Sequence, residues 1–143
     1  MAALEVWYDQ KPEDDFNPGD PAIVIRTHEE LTELLDRVSE QSARQPCPSI
    51  ITVYVAEDPY RFPSARVGVG VGLGYVQINS RTGRRATLGD DIVGDRVYDF
   101  QGHGEDVPLR HEVPLATVRA VLAAYLDHDG LIPDDFPGLH EVH

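Results

Sequence analysis

The stretch Ser49–Ala56, SIITVYVA, constrains the fold more than any other part of the chain. It is rich in β-branched residues, as strands are. A strand with one wet face alternates apolar and polar residues; this one is apolar almost throughout. That pattern belongs to a central strand with both faces covered. Strand character continues beyond it. From Arg66 to Ile78, Val67, Val69 and Val71 alternate with Gly68, Gly70 and Gly72; Leu73-Gly74 can turn the chain, and Tyr75–Ile78 can return as the partner strand. Glycine at alternate positions lets another backbone or side chain pack close against one sheet face. Leu4–Tyr8, Ala22–Arg26, Arg85–Leu88 and Arg96–Phe100 are further strand candidates, with Asn79–Gly83 a turn and Gly89–Asp95 an acidic connection.

Two helices complete the pattern. Thr27 can cap the first, and Glu30 three residues later completes a capping box. Leu31, Leu34, Leu35 and Val38 follow at helical spacing. The helix should end before Pro46. The second runs from about Pro114 to Leu126, with Leu115, Val118, Leu122 and Tyr125 as its stripe and Gly130 as its stop. Strands dominate the middle and do not alternate with helices. The expected fold is therefore α+β: an antiparallel sheet of about six or seven strands with both helices on one face. Leu31, Leu34, Leu35, Val38, Leu115, Val118 and Leu122 should pack on Ile51, Val53 and Val55. A chain of 143 residues suits one domain spanning 1–143. Residues 9–21 read as an acidic, proline-bearing loop and residues 134–143 as a weakly structured tail.

Charge narrows the functions. With 25 acidic against 12 basic residues the formal net charge is −13. Such a field repels nucleic acid and anionic membrane and attracts basic proteins. No apolar run reaches the length of a membrane span. Met1–Glu5 has no basic region of the kind that opens a signal peptide, so the cytoplasm is the expected compartment.

Motifs for chemistry are missing. Val67–Gly74 looks superficially like a nucleotide loop, but a strand-like segment follows it where a phosphate site needs a helix N-terminus. The six histidines show neither HxxxH nor HExxH spacing, and His128 suits the C-terminal end of a helix. Acid pairs such as Asp90-Asp91, Glu105-Asp106 and Asp134-Asp135 sit in loops, where nothing splits their pKa values. There is no GxSxG, and Cys47, the single cysteine, reads as a structural thiol between two prolines. No catalytic residue, metal site or cofactor is expected.

Taken in order, the segments resemble a known family. Val6-Trp7-Tyr8-Asp9 opens the likeness, and Val24-Ile25-Arg26-Thr27-His28-Glu29-Glu30-Leu31 with Leu34-Leu35-Asp36 continues it. Val67-Gly68-Val69-Gly70, Gly74-Tyr75-Val76, Val97-Tyr98, Val113-Pro114 and Tyr125-Leu126 follow. This arrangement resembles the Imm1 family of bacterial immunity proteins from polymorphic toxin systems, over roughly Leu4–Pro133. One departure concerns the end. The family commonly closes with a Gly-x-Arg-Pro type turn and then a tryptophan, whereas Gly130-Leu131-Ile132-Pro133 lacks the arginine and Phe136 is the nearest aromatic. The resemblance implies a non-enzymatic antitoxin that binds a cognate toxin domain in the cytosol. It also implies a toxin that attacks nucleic acid, a nuclease or deaminase, whose basic substrate site an acidic partner can occlude. An acidic adaptor for a non-toxin partner and a small enzyme with a site outside known motifs are the alternatives. The expected partner surface combines aromatic anchors with carboxylates: Glu57, Asp58, Tyr60 and Phe62, then Asp90, Asp91, Asp95, Asp99, Glu105 and Asp106.

Overall fold

The computed structural model describes residues 3–7, 23–55, 63–80, 83–100, 103–133 and 136–142. It contains the strands β1 (Leu4–Trp7), β2 (Ile23–Ile25), β3 (Ser49–Val55), β4 (Ser64–Val69), β5 (Leu73–Ser80), β6 (Gly83–Ala86), β7 (Asp95–Phe100), β8 (His103–Pro108), β9 (Val113–Pro114) and β10 (His140–Val142). Its helices are α1 (His28–Ala43) and α2 (Leu115–Asp127). The fold is α+β, as expected, with a ten-stranded sheet instead of six or seven strands. Three strands are additional: β9 and β10 hold two and three residues, too few to carry a period, and β8, whose sequence HGEDVP is polar with little apolar alternation, places Glu105 and Asp106 in a strand instead of the expected loop.

The main path through the sheet is β10-β6-β5-β4-β3-β1-β2, all antiparallel, with β3 in its interior. Register sorts the side chains. Ile51, Val67 and Val76 stand abreast on one face, as do Val53, Ala65 and Ile78. All six are buried there together with Leu31, Leu34, Leu35 and Val38 of α1 and Val118, Val121, Leu122, Tyr125 and Leu126 of α2. Both helices thus cover the same face. Leu115 is only partly buried, unlike the rest of the expected core, because it opens the helix at the rim beside Gly74. The opposite face carries Ile50, Gly68 and Tyr75 abreast, and the β7–β8 hairpin folds over them through Tyr98 and Val107. This second cover is why Ser49–Ala56 lacks alternation.

Local chemistry fixes the element ends. Thr27 accepts the Glu30 backbone N–H at 3.1 Å, while the Glu30 carboxylate accepts the backbone N–H of Arg26 at 3.0 Å. The reciprocal cap therefore forms one residue earlier than the usual box. α2 starts at Leu115 with Pro114 as its N-cap. It ends in a left-handed C-terminal cap: Asp129, at φ +52°, follows the C-cap His128 and donates to the Leu126 carbonyl, and Gly130, at φ +88°, donates to the Tyr125 carbonyl. The β4–β5 turn falls at Gly70–Gly72, not at the expected Leu73-Gly74. Gly72 adopts φ +82°, which leaves Leu73 free to begin β5. Val71 consequently lies out of the strand and is exposed. Within the stretch expected as a weakly structured tail, His140–Val142 form β10, which pairs with β6, and Leu139 is buried. The 9–21 loop lies outside the described residues. No helix among the described residues is long and apolar enough to cross a membrane.

Candidate functional site

The β7–β8 hairpin and the loop that feeds it carry most of the acids singled out in the sequence. Strand alternation divides them. On β7, Tyr98 points inward and is fully buried, so Arg96 and Phe100 share its side, while Asp95, Val97 and Asp99 face out. Across the ribbon Asp106 lies opposite Val97, and Glu105 lies opposite Tyr98. The outer face therefore presents Asp95, Val97, Asp99 and Asp106. Glu105 turns inward, where its Oε1 accepts from Arg66 at 2.7 Å; the Arg66 guanidinium in turn lies 4.2 Å from the Phe100 ring centre. Asp90 and Asp91 belong to the loop before β7 and are exposed. The structure thus brings Asp90, Asp91, Asp95, Asp99 and Asp106 onto one lobe and gives Glu105 a structural partner. Glu57, Asp58, Tyr60 and Phe62 lie outside the described residues.

The lobe is fastened by two tyrosines whose role here the sequence did not show, and by Glu112 and Thr87, which the sequence did not single out. Tyr75 and Tyr98 meet edge to face, 5.3 Å apart and at 86°, directly over Gly68. A Cβ at Gly68 would lie well inside contact distance of both rings, so glycine here is a requirement of close packing. Glu112 is buried, and its Oε2 accepts from Tyr98 Oη at 2.7 Å and from Arg96 Nε at 2.8 Å. That carboxylate pulls the Arg96 pKa further up. Burial first, then the Glu112 bond, pushes the Tyr98 phenol well above its ordinary range. Thr87, fully buried, accepts from the Val76 N–H at 3.1 Å and donates to the His111 carbonyl at 2.8 Å.

Beside the hairpin lies a groove of about 580 Å³ lined in part by Arg66, Tyr75, Arg84, Glu105, Arg110 and His111. Its shifted groups owe their shifts to packing. Burial chiefly raises Tyr75, with Glu105 adding to it. Burial chiefly lowers His111, with Arg110 adding to it. Nε2 of His111 and Oε2 of Glu105 are buried without a hydrogen-bond partner among the described residues. No group of three His, Cys, Asp or Glu among the described residues could hold a metal ion.

The outer lobe also gathers apolar surface. Eight large apolar side chains are exposed among the described residues; Ile92, Val93 and Val97 are three of them on this lobe, and Leu88, a fourth, lines the groove beside it. Val93 is 97% exposed. Ile92-Val93, set in a loop between Asp90-Asp91 and Gly94-Asp95, has no periodic partner that would bury it; that was the signal available in the sequence.

A search of curated proteins gave no match. A family model described as Immunity protein Imm1 matches residues 19–140, most of the chain. The match takes in β2 through the start of β10, and so the whole β7–β8 lobe with its supports. The chain belongs to the Imm1 family of immunity proteins.

Proposed function

We propose that this immunity protein neutralises a cognate toxin domain by binding it directly. The contact is the outer face of the β7–β8 hairpin and its preceding loop. One observation supports the choice of surface: Asp90, Asp91, Asp95 and Asp106 are all exposed and none makes a side-chain hydrogen bond or ion pair with a described residue. Their charge is therefore available to a partner, whereas that of Glu105 and Glu112 is engaged internally.

The expected partner is a toxin that acts on nucleic acid, as a nuclease or deaminase. Such a protein needs a basic groove to hold the phosphate backbone. A rigid acidic ribbon imitates that charge and excludes the substrate. The acids steer encounter and fix orientation more than they add raw affinity. The net charge of −13 extends the same attraction over about one Debye length.

Co-expression tests the reading. The wild-type chain should restore growth to cells producing the toxin domain encoded beside it. A variant carrying Asp90→Asn, Asp91→Asn, Asp95→Asn and Asp106→Asn should protect poorly while unfolding at the wild-type urea midpoint. Failure of the wild-type chain to protect refutes the proposal. Full protection by the quadruple variant refutes the surface.

A further inference from the structure

The loop between β6 and β7 is built as a fixed projection, although its sequence reads only as an acidic connection. Its entry is held by Thr87, whose N–H donates to the Val76 carbonyl at 2.9 Å, and by Gly89, whose N–H donates to the Arg110 carbonyl at 2.7 Å. Gly89 lies so close to the Glu112 carbonyl that no larger residue fits. Its exit is held by the Leu109 N–H, which donates to the Gly94 carbonyl at 2.9 Å, with Gly94 at φ +120°. Between these clamps the Ile92 N–H donates to the Asp90 carbonyl at 2.9 Å, folding the tip back on itself. The result leaves Val93 almost wholly exposed and Ile92 half-exposed, at 97% and 50%.

Two aliphatic side chains held in water on a clamped loop contribute little burial to the isolated fold. Interfaces do gain from them. Binding energy concentrates in a few desolvated anchors, and a preformed loop loses little conformational entropy on docking. Asp90, Asp91 and Asp95 lie immediately around the tip in sequence, so an acidic receiving surface would repel it, a neutral one would leave the carboxylates without compensating charge, and a basic one would attract it. The geometry points to Ile92 and Val93 as a preformed apolar anchor that seats in a cleft of a basic protein, with the carboxylates facing the cations at its rim. This inference rests on the toxin-binding proposal and adds a division of labour: the acids govern how fast the complex forms, and the Ile92-Val93 tip governs how long it lasts.

The test measures binding kinetics on a catalytically inactivated toxin domain encoded beside this chain. Ile92→Ser with Val93→Ser should speed dissociation by about 10-fold or more and leave association nearly unchanged. Gly94→Val, which touches no proposed contact but removes a residue suited to φ +120°, should also weaken the complex by distorting the clamp. Leu131→Ser, which removes an aliphatic side chain outside the loop whose exposure, 71%, lies between those of Ile92 and Val93, should change neither rate. If the wild-type chain binds and the Ile92/Val93 variant dissociates at the wild-type rate, or if Leu131→Ser is just as damaging, the anchor is wrong and the toxin-binding proposal stands. If the wild-type chain does not bind, the toxin-binding proposal falls, and the anchor with it.

Discussion

Gly68→Ala should destabilise the protein, although alanine is ordinarily the better strand residue. Two effects oppose each other. Replacing a strand glycine restricts the unfolded chain and by itself stabilises by about 0.5–1 kcal/mol. At this position, however, the new Cβ would lie 2.5 Å from both Tyr75 Cδ1 and Tyr98 Cε2, well inside contact distance. Tyr75 and Tyr98 are 3% and 0% exposed, so neither ring has room to move without displacing the hairpin. Overpacking of this kind costs about 1–3 kcal/mol, and loosening the edge-to-face pair adds about 0.5–1.5 kcal/mol. The balance is a loss of about 2 kcal/mol, between about 0.5 and 4, read as a fall in the urea midpoint at unchanged m-value. Gly104→Ala is the matched control. Its nearest neighbour is Val97 Cγ1 at 3.3 Å on the exposed side of the same hairpin, so the change should stay within about 0.5 kcal/mol. A Gly68→Ala protein as stable as wild type would show that the tyrosine pair does not hold the hairpin to the sheet.

Three further outcomes follow from the packing and the titration shifts. Leu34→Ala, at 2% exposure beneath α1, should cost about 2–5 kcal/mol in urea unfolding; a loss below about half a kcal/mol would mean the site is not close-packed. Tyr98→Phe keeps the ring but removes one of the two donors to Glu112 Oε2, and should cost about 1–3 kcal/mol by the same assay; a neutral result would mean that bond contributes nothing. His111 has a lowered pKa in the fold, so the unfolded chain binds more protons once the pH drops to about 6.5. Its contribution is fully present above that pH and is lost as the pH falls from there through the folded value. Wild type should therefore lose more stability than His111→Gln between about pH 7.5 and pH 5; parallel stability curves would contradict this.

The sequence was most informative where a period ran long. The α1 stripe Leu31, Leu34, Leu35 and Val38 lies in the core as its spacing indicates, and the β-branched run at Ser49–Ala56 marks the interior strand. It was least informative where a structural role depends on distant partners. Glu112 gives no local sign that Tyr98 and Arg96 converge on it, and the same holds for Thr87 between Val76 and His111. The alternation of glycines implied close packing on one sheet face, but only the fold shows that the packing partners over Gly68 are two tyrosines. The acids of the lobe could be listed from sequence but not sorted. Adjacent residues Glu105 and Asp106 face opposite sides of one ribbon, because strand period is two and the register is set by pairing with β7. The closing strand β10 escaped notice because three residues paired at an edge need no periodic signature.

The central claim, capture of a basic toxin through the acidic lobe, is tested most directly by the ionic-strength dependence of association. Stopped-flow measurement would use the purified chain and the inactivated toxin domain, from about 50 to 500 mM salt, where screening shortens the reach of exposed charges. The account predicts that the association rate constant falls about 10-fold or more across that range. It further predicts that the Asp90→Asn, Asp91→Asn, Asp95→Asn, Asp106→Asn variant starts slower and responds much less to salt. A rate constant independent of salt, or a quadruple variant that associates as wild type does, would contradict it.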